Sequence, residues 1–112
     1  MKCNENTRFM CAVAVAVACM EDERPKNQDV NPMQAADYMQ HVLDILFSAS
    51  EFTPKVETMT YPRCSKIPLI IRIGGLGACL FWYYPNQSAG EIAGDLEDVL
   101  EDFLRENARV SA

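Results

Sequence analysis

The feature that most constrains the fold is an amphipathic helix predicted over residues 88–106. Ser88 and Glu91 form an S-x-x-E capping box, which is a specific signal for the start of a helix. A stripe of apolar residues at helical spacing has to pack against another apolar element, so the rest of the chain must supply a core that covers it. The stripe comprises Ile92, Leu96, Val99, Leu100, Phe103 and Leu104.

The opposite face of this predicted helix is acidic. Like charges four residues apart each destabilise an isolated helix by roughly a few tenths of a kcal/mol, and Arg105 is the only base in residues 91–106. The face therefore serves either solubility or the binding of a basic partner. Its candidate partner-binding residues are Glu91, Asp95, Glu97, Asp98, Glu101 and Asp102.

Length and charge bound the class of protein. The chain has 112 residues, which we expect to form a single domain, residues 1–112. Because 49% of these residues are hydrophobic, the chain can bury a core and its bulk should be ordered. The formal net charge of −6 repels nucleic acid and anionic lipid on average. We therefore expect a partner protein with a basic surface, no direct nucleic-acid partner and no membrane partner.

The N-terminal segment 8–20 fits either a helix or a buried strand. Its apolar run, residues 9–20, is 12 residues long and too short to span a bilayer. The run lacks leucine and follows Glu5, which argues against a signal peptide and favours a cytoplasmic protein. Valines and alanines alternate within it as in a strand, but alanine favours a helix that Pro25 would end. Because the segment is apolar on all sides, we expect it to be buried.

A further helix is predicted over residues 32–48. Asn31 has the character of an N-cap, and Pro32 would occupy the first helical position, where proline is tolerated. Helical periodicity then separates an apolar inner face from a polar outer face. The inner face is expected to comprise Ala36, Met39, Leu43, Leu46 and Phe47, and the outer face Asp37, Gln40 and Asp44.

A β-hairpin is predicted from residues 66–73 and 78–84, which are rich in branched and aromatic residues and are joined by a glycine turn. Pro68 indicates that the first of these strands lies at a sheet edge or begins late, because proline cannot donate to the ladder. Residues 55–61 fit a short third strand between two prolines. The expected fold class is α+β, a small two-layer domain in which helices pack on an antiparallel hairpin.

The second hairpin strand ends in a run of aromatic residues. Strand alternation puts Trp82 and Tyr84 on one face, and Phe81 and Tyr83 on the other. One face should pack on the helices, and an exposed Trp82 or Tyr84 would join the candidate partner-binding residues. Stacking on single-stranded nucleic acid would need basic surroundings, and residues 53–90 do hold four bases against one acid.

No motif in the sequence indicates catalysis or metal binding. The cysteines number five and lack C-x-x-C spacing, so neither a disulfide framework nor a zinc site is indicated. The glycine turn lacks the Lys-Ser/Thr of a phosphate-binding loop. We therefore predict no catalytic residue, no metal and no cofactor. The alternative is a small enzyme that pairs His41, the only histidine, with Cys64 or Cys79.

These observations favour a non-enzymatic inhibitor or adaptor whose acidic helix occupies a basic surface of another protein. In size and charge the chain resembles phage-encoded inhibitors of host defence, such as anti-CRISPR and anti-restriction proteins, although the likeness is one of class and involves no shared motif. That resemblance implies a target surface that normally holds nucleic acid. A second hypothesis is a secretion-chaperone-like acidic homodimer that holds a client protein. The acidic face could also pair with Arg63, Lys66 or Arg72 within the chain or in a second copy.

Overall fold

A computed structural model describes residues 5–26, 31–59 and 66–111 of the chain. The described residues form three α-helices, α1 (Glu5–Cys19), α2 (Pro32–Leu46) and α3 (Ala89–Ser111), and a 3-10 turn at Glu21–Glu23. The strands are β1 (Pro54–Thr58), β2 (Ile67–Ile73) and β3 (Gly77–Tyr83). They make one antiparallel sheet in the order β1-β2-β3. The predicted α+β class is therefore confirmed.

The helices cover one face of the sheet. Helix α2 packs on β1, helix α3 packs on β3, and α1 packs on the two other helices. Side chains that alternate along the strands point to this inner face and are buried with apolar residues of all three helices. The buried strand residues on this face are Ile67, Leu69, Ile71, Ile73, Phe81 and Tyr83.

The N-terminal segment is helical, which decides between the two structures that its pattern allowed. Helix α1 ends at Cys19, and the 3-10 turn carries the chain to Pro25. The expectation that the segment is buried on all sides is wrong, because Val15 is 59% exposed and Cys11 and Cys19 are exposed. The physical reason is that residues 11–19 of α1, the part whose side chains are described, pack on the neighbouring helices through one narrow stripe. That stripe comprises Val13, Ala16 and Val17.

Helix α2 begins as predicted. The Asn31 side chain accepts a hydrogen bond from the Met33 N–H at 2.8 Å, and Gln34 completes a capping box. The predicted outward position of Gln40 is wrong. Its side chain is half-buried and turns toward the sheet, where its amide group forms hydrogen bonds with main-chain groups of β1. Helical periodicity predicts an exposed side chain here, but hydrogen bonds to a distant strand hold the Gln40 side chain against the sheet.

The hairpin forms with a turn over residues 74–76, and the third predicted strand is β1. The expectation that Pro68 marks an edge strand or a late start is wrong, since β2 is the central strand and includes it. The pairing of β1 with β2 ends at Thr58 opposite Leu69, so no β1 residue lies opposite Pro68 to need its missing N–H. Residues 60 and 61 of the predicted third strand lie outside the described residues.

Helix α3 begins with the predicted capping box. Glu91 donates its N–H to the Ser88 Oγ at 3.2 Å, and the Ser88 N–H donates to a Glu91 carboxylate oxygen at 3.1 Å. Ile92, Leu96 and Leu100 are fully buried, as the apolar stripe predicts. The helix continues to Ser111, five residues beyond its predicted end. In the described part of the chain no helix is long and apolar enough to cross a membrane.

Candidate functional site

Six carboxylates lie together on the outer side of α3 and form what we call the acidic surface. Three of them are exposed, and three are partly covered by their neighbours. Because the buried stripe fixes the rotation of the helix about its axis, these side chains point away from the core. All six were predicted as partner-binding residues, and the structure brings them together on one helix. The acidic surface comprises Glu91, Asp95, Glu97, Asp98, Glu101 and Asp102.

The carboxylates of the acidic surface repel one another. Partial desolvation raises the pKa of Glu97 above its ordinary value, and the neighbouring charges of Asp98 and Glu101 raise it further. A raised carboxyl pKa means that the folded chain disfavours the ionised form of Glu97. Any cation that approaches this part of α3 would relieve that cost.

Few cations balance the acidic surface from within the chain. Arg105 lies 3.2 Å from Glu101 and 3.5 Å from Asp102, and both ion pairs are exposed. The Gln87 amide donates to Asp95 at 2.9 Å but carries no charge. Among the described residues, no base from another element forms an ion pair with this surface.

The bases that could have neutralised the acidic surface lie elsewhere. Arg72 pairs with Glu57 at 2.9 Å across neighbouring strands. The Lys66 Nζ lies 4.3 Å from the centre of the Trp82 ring, which is a cation–π contact. Arg63 lies outside the described residues. Among the described bases, Arg105 is therefore the one that forms ion pairs with the acidic surface.

The two aromatic residues predicted to assist binding lie apart from the acidic surface. Trp82 points to the face of the sheet opposite the helices, because its neighbours Phe81 and Tyr83 point into the core. Tyr84 follows the end of β3 and is half-buried. Trp82 therefore belongs to a different surface, and the role of Tyr84 in binding stays a prediction.

None of the described helices covers the second face of the sheet, which we call the open face. It combines apolar side chains with charged ones from β1 and β2. Leu80, in the middle of the edge strand β3, is 44% exposed, whereas Pro68 on the central strand is buried. The residues of the open face are Lys55, Glu57, Pro68, Ile70, Arg72, Ala78, Leu80 and Trp82.

Arg24 ties the connector after α1 to the rest of the domain, and no sequence pattern indicated this role. Two of its nitrogens donate to Glu21 at 2.8 and 2.7 Å, and a third donates to the Gln87 main-chain oxygen at 2.7 Å. The Arg24 side chain is only 10% exposed. Its hydrogen bonds lower the pKa of Glu21 to about 2. The contact brings the start of α3 against the connector, which only the folded chain reveals.

Two tyrosines pack beside Arg24. The rings of Tyr38 and Tyr83 meet edge to face with centroids 5.9 Å apart. The Tyr83 hydroxyl donates to the Pro25 main-chain oxygen at 2.6 Å, whereas the buried Tyr38 hydroxyl has no hydrogen-bond partner among the described residues. Burial raises the pKa of Tyr38 to about 12, so this phenol is neutral at physiological pH. The two rings stabilise the connector through packing and through the one neutral hydrogen bond from Tyr83 to Pro25.

The thiols and the histidine proposed for catalysis are not joined in the described structure. His41 is exposed on α2, and Cys79 is half-buried on the inner face of β3. Burial raises the pKa of the Cys79 thiol, whereas an activated nucleophile needs a lowered one. Cys64 lies outside the described residues, and within the described ones no group of His, Cys, Asp and Glu could hold a metal ion.

Two described surfaces therefore have the character of binding surfaces, and they lie on opposite sides of the sheet. The acidic surface is charged and sits on the helical side, whereas the open face is largely apolar. Comparisons with protein-family models, with curated proteins and with solved structures find no match for this chain.

Proposed function

We propose that this protein is a non-enzymatic inhibitor or adaptor whose acidic surface occupies a basic surface of another protein. The observation that carries the proposal is the row of mutually repelling carboxylates on α3, which Arg105 balances only in part and in which the pKa of Glu97 is raised. A basic partner would remove this repulsion on binding. The complementary charges would also accelerate the encounter of the two proteins.

The charge density of the acidic surface supports a target that normally holds nucleic acid. From Glu91 to Asp102 the helix rises by about 16 Å, at about 1.5 Å per residue. Six carboxylates over that length give one negative charge per about 3 Å, and a DNA strand carries one phosphate per about 3.4 Å. A protein groove that matches a phosphate backbone would therefore find a similar row of charge on α3.

Two variants with the same net charge test this proposal. The first carries Glu97→Lys, Asp98→Lys and Asp102→Lys on α3, and leaves out Asp95 because Gln87 bonds it. The matched control carries three substitutions of exposed acids outside α3. These are Asp22→Lys, Glu23→Lys and Asp37→Lys. Each variant changes the formal net charge from −6 to 0, since each of its three substitutions adds two charges.

The immobilised wild-type chain and both variants are incubated with an extract of native host cells, and the retained proteins are identified. We expect the wild type and the control to retain the same basic protein, which added nucleic acid releases, and the α3 variant to lose it. Circular dichroism checks that all three chains are folded. Equal retention by the wild type and a folded α3 variant would contradict the role of the acidic surface.

A further inference from the structure

The two edge strands of the sheet differ in how their free backbone groups are satisfied. At the β1 edge, the Gln40 side chain accepts a hydrogen bond from the Val56 N–H at 2.8 Å and donates to the Pro54 oxygen at 2.9 Å. The amide therefore occupies the backbone groups with which a further strand would pair at the β1 edge. Lys55 and Glu57 add charge to β1, a further means by which natural sheets discourage edge pairing.

The ladder pattern identifies which groups of β3 point to its own free edge. In an antiparallel pair, opposite residues alternate between hydrogen-bonded and non-bonded pairs. The Val56 N–H donates to Gln40, so it points away from β2. Val56 and the residue opposite it, Ile71, are therefore a non-bonded pair, and the N–H and C=O groups of Ile71 point to β3. Ile71 pairs with Cys79 on β3. Ala78 and Leu80 flank Cys79, so their N–H and C=O groups point outward, to the free side of β3.

Nothing blocks these outward groups in the described structure. No hydrogen bond from the described residues reaches the outward backbone groups of Ala78 or Leu80. Residues 77–83 contain neither a charged residue nor a proline, so β3 lacks the usual defences of an edge strand. We call this side of β3 the open edge.

We propose that the open edge pairs with the open edge of a second copy of this chain, so that the two sheets form one continuous six-stranded sheet. The strands run antiparallel about a two-fold axis at Leu80. In this register Leu80 faces Leu80 of the second copy, and Ala78 faces Trp82 of the second copy. The small alanine leaves room for the large indole on both sides of the axis, which makes the edge complementary to itself.

The absence of charged side chains on β3 favours an uncharged strand, such as a second copy of β3, over an ionic partner at this edge. Each copy has a formal net charge of −6, so two copies repel each other on average. The open edge joins them where neither carries a charged side chain, while the acidic surface stays on the helical side. Added salt screens the general repulsion and should therefore strengthen this dimer.

Sedimentation velocity over a range of concentrations measures the dimer and its response to two matched variants. Leu80→Lys sets two positive charges directly opposite each other and should weaken self-association on the order of tenfold. Thr58→Lys makes the same charge change on the exposed end of β1 and should leave self-association unchanged. Because Leu80 is 44% exposed, the lysine variant should remain folded, which thermal unfolding of the dilute protein checks.

Amide hydrogen exchange gives a second measurement that needs no variant. The Leu80 N–H and the Ala78 N–H should become protected as the wild-type concentration rises, because both would donate across the new strand pair. A chain that stays monomeric at every concentration would overturn the proposal. So would a dimer that survives Leu80→Lys or dissociates on addition of salt.

Discussion

The acidic surface of α3 and the open edge of β3 are neighbours along the chain but differ in every property that governs binding. Strand β3 ends at Tyr83 and helix α3 begins at Ala89. The acidic surface carries six carboxylates, and its backbone groups are hydrogen-bonded within the helix. The open edge carries no charged side chain, and backbone N–H and C=O groups point outward from it. The first surface repels a copy of itself, whereas we propose that the second pairs with one.

Under our two proposals, one small domain would bind a partner and a second copy without competition between the two. Side-chain charge selects a basic partner and weakens with salt. Backbone hydrogen bonds select an extended strand, and salt should strengthen this pairing because it screens the repulsion between the two copies. The two interactions should therefore be separable by substitution, because no residue belongs to both surfaces.

The largest effect should come from the buried side of α3. Leu96 is fully buried, and Leu96→Ala should lower the free energy of unfolding by about 2–5 kcal/mol through lost burial and the cavity left behind. The exposed Asp98 on the same helix should change it by less than about 0.5 kcal/mol on substitution by alanine. Urea unfolding of both variants measures the contrast. A similar loss for Asp98→Ala would mean that the acidic surface serves the fold rather than a partner.

A smaller effect should follow from opening the blocked edge. Gln40→Leu removes both hydrogen bonds from the Gln40 side-chain amide to β1 and should lower the free energy of unfolding by about 1–2 kcal/mol. It should also give the sheet a second free edge, so sedimentation should detect species larger than a dimer. Asp44→Ala is the matched control, because it removes only the Gln40–Asp44 bond. Unchanged association in Gln40→Leu would show that the blocked edge does not explain the difference between β1 and β3.

The smallest effect concerns the titration of Glu97. A carboxyl whose pKa is raised on folding contributes stability at low pH that is lost as pH rises through its titration range. Glu97→Gln should therefore stabilise the chain by roughly a few tenths of a kcal/mol at neutral pH. The gain should disappear below the pKa of an ordinary glutamate, where the wild-type side chain is neutral. Thermal unfolding across that pH range, with Glu23→Gln as the control, measures it.

The sequence was sufficient to predict α3 because its signals are local. The capping box and the apolar stripe lie within the helix itself, and the acidic surface follows from the same periodicity. The burial of α1 and the direction of Gln40 depend on neighbours distant in sequence, and helical periodicity carries no information about them. Pro68 was misjudged for the same reason, since its tolerance depends on where β1 ends.

The candidate site divides in the same way. The acidic residues were predicted as a set, whereas the separation of Trp82 from them depends on which face of β3 the helices cover. The open edge was not predicted, because no single-strand pattern distinguishes a free edge from a paired one. The contact between Arg24 and the main-chain oxygen of Gln87 joins residues 63 positions apart and had no local signal.

The most direct test of the proposed function is the affinity of the retained partner for the two variants that share a net charge of zero. Titration of the purified partner should give at least tenfold weaker binding for the α3 variant, a loss of about 1.4 kcal/mol, and nearly wild-type binding for the control. Rising salt should weaken wild-type binding and leave the residual binding of the α3 variant almost unchanged. Equal affinities for the two variants would contradict the account, because net charge rather than the acidic surface would then govern recognition.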